Sequence, residues 1–306
     1  MYNTQFLLNG ESMLRYSADW RTLGYMFVTT ALLVVQWRLP EFQPSLYLWT
    51  LFMSVSVGII AHNHNHVTMW ASKPLNVLTD YWLTLFYGFP AFGWIPTHNM
   101  NHHKFNNREG DYTLTYRYTE RNNLLTLLSY PSISGYHQQR PIRDYLTHLW
   151  SHKRRNFWFC ISQYVVLVTF ILGALWLDWK KALLFIVIPQ QMSLFAILIF
   201  NYIQHVDADE ESEYNHSRNI VGPWLNALLF NNGFHTIHHH LPGLHWSKTR
   251  EAHDQIAQRI DPTLNEWSFW WLIVRVYILG VAIPRFRSIS MRMERMNNIS
   301  FPTANT

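Results

Sequence analysis

Apolar and polar positions along this chain fall into blocks rather than alternating residue by residue. Four blocks are almost continuously apolar: Leu23–Trp37, Leu46–Ala61, Phe157–Leu177 and Ala182–Ile203. A helix crosses hydrocarbon with about 20 such residues, so these windows predict four spans, the first two lengthened by flanking aromatic residues. Two further stretches, Leu75–Ile95 and Trp267–Ile283, mix the two residue classes and are expected to lie at the interface or to re-enter the membrane. The polar region Asn106–Arg155 is expected over the cytoplasmic face. Pro90 and Pro96 break the first interfacial segment. Gly222-Pro223 interrupts the chain before a helix that carries a late histidine cluster, and Pro242-Gly243 stops that helix, since proline cannot continue it and glycine accepts the turn. The pattern predicts an all-α integral membrane fold. It would have four transmembrane helices in two hairpins, interfacial helices, and a cytoplasmic helical cap carrying the histidine clusters. We read one domain over residues 1–306, with an N-terminal arm at 1–22 and a C-terminal tail at 285–306.

Composition agrees with that pattern. Charged residues make up 14% of the 306, against about 25% in a soluble domain. The mean hydropathy of −0.09 is low for a membrane protein because 17 histidines and the polar loops dilute the apolar windows. The 15 tryptophans suit an aromatic belt at headgroup level. Arg38, Lys180 and Lys181 fall in the expected outer turns, while the other basic residues lie on the opposite side. The excess of positive charge then places both termini and every histidine cluster on the cytoplasmic side. The isoelectric point near 9.3 therefore reads as membrane orientation and contact with anionic lipid headgroups, not as nucleic-acid binding. The arm Met1–Trp20 lacks a basic stretch followed by an apolar run, so no signal peptide is expected there. Cys160 is the single cysteine and lies within a predicted span, which leaves neither a disulfide framework nor a thiolate metal site.

The chemistry lies in the histidines. His62 and His66 close the second window, His98, His102 and His103 follow the interfacial segment, Asn201 and His205 close the fourth window, and His235, His238 and His239 come after it. On a helix, positions i, i+3 and i+4 share a face. That groups His62 with His66, His98 with His102, Asn201 with His205, and His235 with His238 and His239. His103 stands about 100° round from His102 and is expected to reach a second metal. These nine histidines with Asn201 suffice for two ions, and imidazole-rich sites suit zinc, copper, iron or nickel by softness alone. His64 points away from its neighbours and is left out. His240 and His245 are left unassigned, and His137, His148, His152, His216 and His253 are expected on the surface. A membrane zinc hydrolase would need a carboxylate base beside its ligands, but no His-Glu-x-x-His is present. A metal carrier would favour polar ligands inside the spans rather than at their ends.

Taken in order, these clusters resemble those of the integral-membrane fatty acid desaturase superfamily. Its pattern of His-x(3–4)-His, then His-x(2–3)-His-His twice, stands here as His62/His66, His98/His102/His103 and His235/His238/His239. The string Trp94-Ile-Pro-Thr-His-Asn-Met-Asn-His-His-Lys-Phe-Asn-Asn-Arg-Glu-Gly-Asp-Tyr112 is similar to the surroundings of the family's second box. The resemblance implies a non-haem centre of two iron ions held by the nine histidines, with O2 as co-substrate. It places Asn201 beside one iron through a water, and makes Asp111 and Asp207 the acids that orient ligand imidazoles. It implies a fatty acid, acyl-lipid or acyl-thioester substrate in an apolar tunnel, for which Trp82, Phe86, Phe89 and Phe92 are candidates. Arg117, Arg140, Arg143, Arg154 and Arg155 are candidates to receive an anionic headgroup. We find no fused cytochrome b5 motif His-Pro-Gly-Gly, so electrons are expected from a separate ferredoxin, rubredoxin or cytochrome b5 type of donor. The expected reaction is double-bond introduction. Hydroxylation, terminal desaturation, acetylene formation and oxidative decarboxylation to a 1-alkene would use the same ligands. His240-Leu-Pro-Gly-Leu-His245-Trp246 departs from the family pattern.

Overall fold

The computed structural model of the chain describes residues 13–300, so residues 1–12 of the expected arm and 301–306 of the tail lie outside the described residues. The fold is all-α. Helix α1 (Trp20–Arg38) leads to α2 (Pro44–His66), which opens on a proline whose missing N–H costs nothing in a first turn. Helix α3 (Lys73–Tyr87) ends at Gly88, whose φ of +81° is a left-handed cap that glycine adopts without strain. A π-helix (Ile95–His102) and the single turn α4 (His103–Phe105) follow. Helix α5 (Leu124–His152) is opened by a reciprocal cap in which Asn123 and Thr126 bond each other's backbone. It occupies most of the region expected to be merely polar. Two strands of two residues, β1 (Asn219–Ile220) and β2 (Asn265–Glu266), pair in parallel and pin the later loops together.

Among the described residues, two stretches are long and apolar enough to cross a membrane by length and composition, Pro44–His66 and Arg154–His205. The second is α6 (Arg154–Ala182), a short π segment (Leu183–Val187) and α7 (Ile188–His205), and it is not straight. Asp178 has extended backbone angles, φ −158° and ψ 99°. Its Oδ1 accepts the N–H groups of Lys180 and Lys181, as the cap of a new helix does. Beyond it Ala182 and Ile186 share a cluster with Ala174, Phe170 and Leu175. In a straight helix residues 170 and 186 would stand about 24 Å apart, so the chain folds back at Asp178. Lys181 Nζ then donates to the carbonyls of Trp37 and Leu39, joining this turn to the one after α1.

The main core lies between α2 and α7. Val57, Ile59, Ile60 and Ala61 pack with Leu83, Tyr87, Trp94, Phe200 and Phe230. Glycines let α7 approach: a Cβ on Gly58 would stand 2.7 Å from Ile197, and one on Gly88 would stand 2.5 Å from Gln190. This close contact brings the C-terminal ends of α2 and α7 together, and both ends carry histidines. The segment expected to be one helix after Gly222-Pro223 is instead two short helices, α8 (Pro223–Leu228) and α9 (His235–His240). Phe230 and Asn231, both at positive φ, turn the chain between them. The third cluster thus swings onto the ends of α2 and α7.

Candidate metal centre

Nine imidazoles converge from five elements into two groups. The first contains His62, His66, His98, His103 and His238, and the second His102, His205, His235 and His239; within each, the ligand atoms lie within 4.8 Å of one another. In the first group four Nε2 atoms form a closed circuit. The edges are His62–His98 2.9 Å, His98–His103 3.1 Å, His103–His238 3.0 Å and His238–His62 3.0 Å. A flat square of that edge has its centre about 2.1 Å from each corner, the length of a metal–imidazole bond. In the second group Nε2 of His235 lies 2.9 Å from His205 and 3.1 Å from His239. Nε2 of His66 and of His102 are buried without a hydrogen-bond partner. One such bare, buried nitrogen in each group fits a metal ion held there.

The division between groups departs from the expected pairing. Helical spacing put His98 with His102 and set His103 apart, yet the segment is a π-helix with i→i+5 bonds. The His103 N–H reaches back to the His98 carbonyl. The wider turn brings His103 round to the side of His98, which an α-helix would not, and His98 joins His103 in the first group while His102 serves the second.

Asp111 holds His102. Its Oδ2 lies 2.9 Å from His102 Nδ1 and also takes the Asn107 N–H. Oδ1 takes the Thr113 N–H and hydroxyl. A carboxylate only accepts, so Nδ1 donates, and in the neutral ring Nε2 is left with its lone pair. The loop returns Asp111 to this place through positive φ at Asn106, Asn107 and Gly110, and Asn101 clamps it by bonding the Gly110 carbonyl and the Tyr112 N–H. Burial opposes ionisation of Asp111, but His102 and the Thr113 donors outweigh it and hold the carboxyl at about 2. Burial, and then the neighbouring imidazoles, keeps His98, His235, His238 and His239 well below the usual histidine value. The same causes lower His103 to about 2. These rings are neutral near pH 7, the state in which imidazole binds metal.

The other expected residues are placed as follows. Asn201 stands on α7 one turn before His205, and its Nδ2 donates to the Tyr130 hydroxyl. The Asp207 side chain is instead engaged by Asn122 and Ser288. His64 is buried on the other face of α2, with Nδ1 accepting the Met69 N–H. His240 contacts the Glu213 carbonyl, while His245 pairs with buried Asp19 at 3.1 Å and stacks on Tyr16. Of the histidines expected on the surface, His148 and His152 are exposed and His137 is half-buried. His216 and His253 are instead buried, His216 against His239 and His253 against Phe234. Thr113 in its loop and Tyr130 on α5 had no spacing that singled them out, because only tertiary packing brings them to the site.

A cavity of about 640 Å³ begins at His62, His98 and His235 and runs between α5 and α7. Ile188, Met192, Phe195 and Leu198 form its α7 wall; Pro131, Ser132, Gly135, Gln138 and Gln139 form its α5 wall. Of the four aromatic residues expected to line a tunnel, Phe89 does so. Trp82 and Phe86 stack on each other against the α2 core, and Phe92 is buried against Tyr145 and Tyr164. A further groove, sharing Gln139 and Ile142, is bordered by Arg143. Arg117 is used on the Asp111 carbonyl, Arg140 lies 4.0 Å from Asp144, and Arg154 sits over Trp150.

The model of the family described as Fatty acid desaturase matches residues 40–281. No curated protein and no solved structure matches the chain.

Proposed function

The chain belongs to the fatty acid desaturase family, and from that premise we propose that it uses O2 to introduce a double bond into a fatty acyl chain at a centre of two iron ions. One observation carries the reading: members of both convergent imidazole groups line one largely apolar cavity. Bound iron supplies the one-electron oxidation of an unactivated methylene, which side chains cannot perform. The nine histidines would hold the ions, five at one and four at the other, with Asn201 beside the second.

The protein's part is to bind, orient and exclude. The α7 wall accepts methylenes, and Trp94 and Thr97 close the cavity beside His98. Gln138 and Gln139 offer hydrogen bonds at a distance from the histidines, and Arg143 beyond them suits an anionic acyl head. Asp111 fixes the tautomer of His102. In this reading α1, α2, α6 and the stretch from Trp179 to His205 cross the membrane as two hairpins, and the histidines face the cytoplasm. A separate protein donor brings electrons.

The test is metal analysis of the detergent-purified chain, with mass spectrometry of acyl products from cells expressing it, with and without O2. About two irons per chain and an O2-dependent product two hydrogens lighter would support the reading. A hydroxylated product or a shortened 1-alkene would move the reaction to those outcomes on the same centre. Zinc alone after iron supplementation, with unchanged lipids, would refute it.

A further inference from the structure

We propose that Tyr130 is a positioning residue that sets which end of the Asn201 amide faces the second histidine group. Hydrogen-bond polarity leads to this. Tyr130 is buried in α5 and packs on Tyr202. Its Oη lies 2.7 Å from the Thr113 carbonyl. A carbonyl only accepts, so the single phenolic hydrogen is committed there. Asn201 Nδ2 lies 2.6 Å from the same Oη. With its hydrogen committed, Oη can only accept, so the amide must present its NH2. The reversed amide would set Oδ1 against an oxygen lone pair. The Ser134 hydroxyl also interacts with Oη, and with the phenolic hydrogen committed to Thr113 it can only donate there, which leaves this polarity unchanged.

Asn201 Oδ1 is thereby turned away from Tyr130. Asn201 lines the cavity together with His235 and stands one turn before His205, both members of the second group. That group has four imidazoles where the first has five. An acceptor oxygen beside it suits a hydrogen-donating water that completes the smaller group, and an NH2 in its place would repel that water. Thr113 links the two sides: its carbonyl fixes Tyr130, and its Oγ1 lies 2.9 Å from His102 Nδ1. The inference rests on the two-iron reading above.

The test is ferrous iron titration, under argon, of the metal-free full chain in detergent. Wild type, Tyr130→Phe, Asn201→Asp and the double variant are compared, with Asn201→Leu as a fifth protein. Phenylalanine keeps the ring packing. Tyr130→Phe should weaken one of the two binding steps by about 10–100-fold, the range for lost partners of metal-site groups, and leave the other step unchanged. Aspartate has no NH2 for Tyr130 to select and sets an oxygen against the Oη lone pair in either orientation, so Tyr130→Phe should cause no loss, and can only relieve binding, in the Asn201→Asp background. Equal losses in both backgrounds would mean that Tyr130 only packs, and the proposal fails. Asn201→Leu should weaken the same step, and two unchanged steps there would overturn the proposal even if Tyr130→Phe does not fold. Wild type that takes up no ferrous iron would instead remove the two-iron reading itself.

Discussion

Asp111 shows how much a single carboxylate can fix. Both oxygens are fully used as acceptors, Oδ2 by His102 and the Asn107 N–H, and Oδ1 by two Thr113 donors. Asp111→Asn keeps the size, but in either orientation its NH2 meets a backbone N–H. We expect iron affinity or turnover to fall by about 10–100-fold, measured by iron titration beside product formation; unchanged affinity would show that His102 needs no such anchor. The neutral histidines predict acid lability. His98, His103, His235, His238 and His239 are all lowered in the fold, whereas in the unfolded chain each takes up a proton below about 6.5. The unfolded state then binds more protons, so stability of the metal-free protein falls as the pH drops from 6.5, by up to about 1.4 kcal/mol per pH unit for each histidine. For His103 that loss continues down to about pH 2. Thermal unfolding of the metal-free protein at pH 7.5 and 5.5 checks this, and equal midpoints would contradict it.

At the scale of elements, a wall of α5 meets a wall of α7. Gly135 lies on the α5 wall, and a Cβ there meets nothing within 4 Å. Gly135→Leu should therefore fold normally and fill part of the cavity, shifting preference toward shorter or slimmer acyl chains. A competition between chains of several lengths measures this; an unchanged preference would place the substrate elsewhere. What the sequence disclosed about elements followed the regularity of each segment. The windows on α2 and α7, and the pairs His62/His66 and Asn201/His205, were legible because both segments remain α-helical to their ends. The second box was misread because a π-helix changes the angular step between residues, and nothing in Ile95–His102 announces it. Asp111 was found by its place after the second box. Tyr130, Thr113 and buried His216 were not found, since only the packing of α5 and of the loops brings them to the site. Asp207 reads as a companion of His205 in the chain, yet the left-handed backbone at that residue (φ 64°) accompanies a side chain bonded to Asn122 and Ser288 instead.

In the whole molecule, the two histidine groups proposed to hold metal lie where α2, the π-helix, α4, α7 and α9 meet. A bound ion ties these elements together, and a ligand that binds only the folded state stabilises it by mass action. Chelation should lower the unfolding midpoint of the purified protein, and ferrous iron should restore it. Identical midpoints with and without metal would argue against a site built from all five elements. The cavity between α5 and α7 has a further consequence. Ile188, Met192 and Phe195 line it and are themselves exposed on α7, which in our reading crosses the membrane among acyl chains. A substrate arriving past these residues is dissolved in lipid, so the quantity that governs its encounter is its mole fraction in the bilayer or micelle. Adding inert detergent at constant total substrate should then slow turnover by surface dilution, and the apparent KM should follow the substrate-to-detergent ratio rather than molarity.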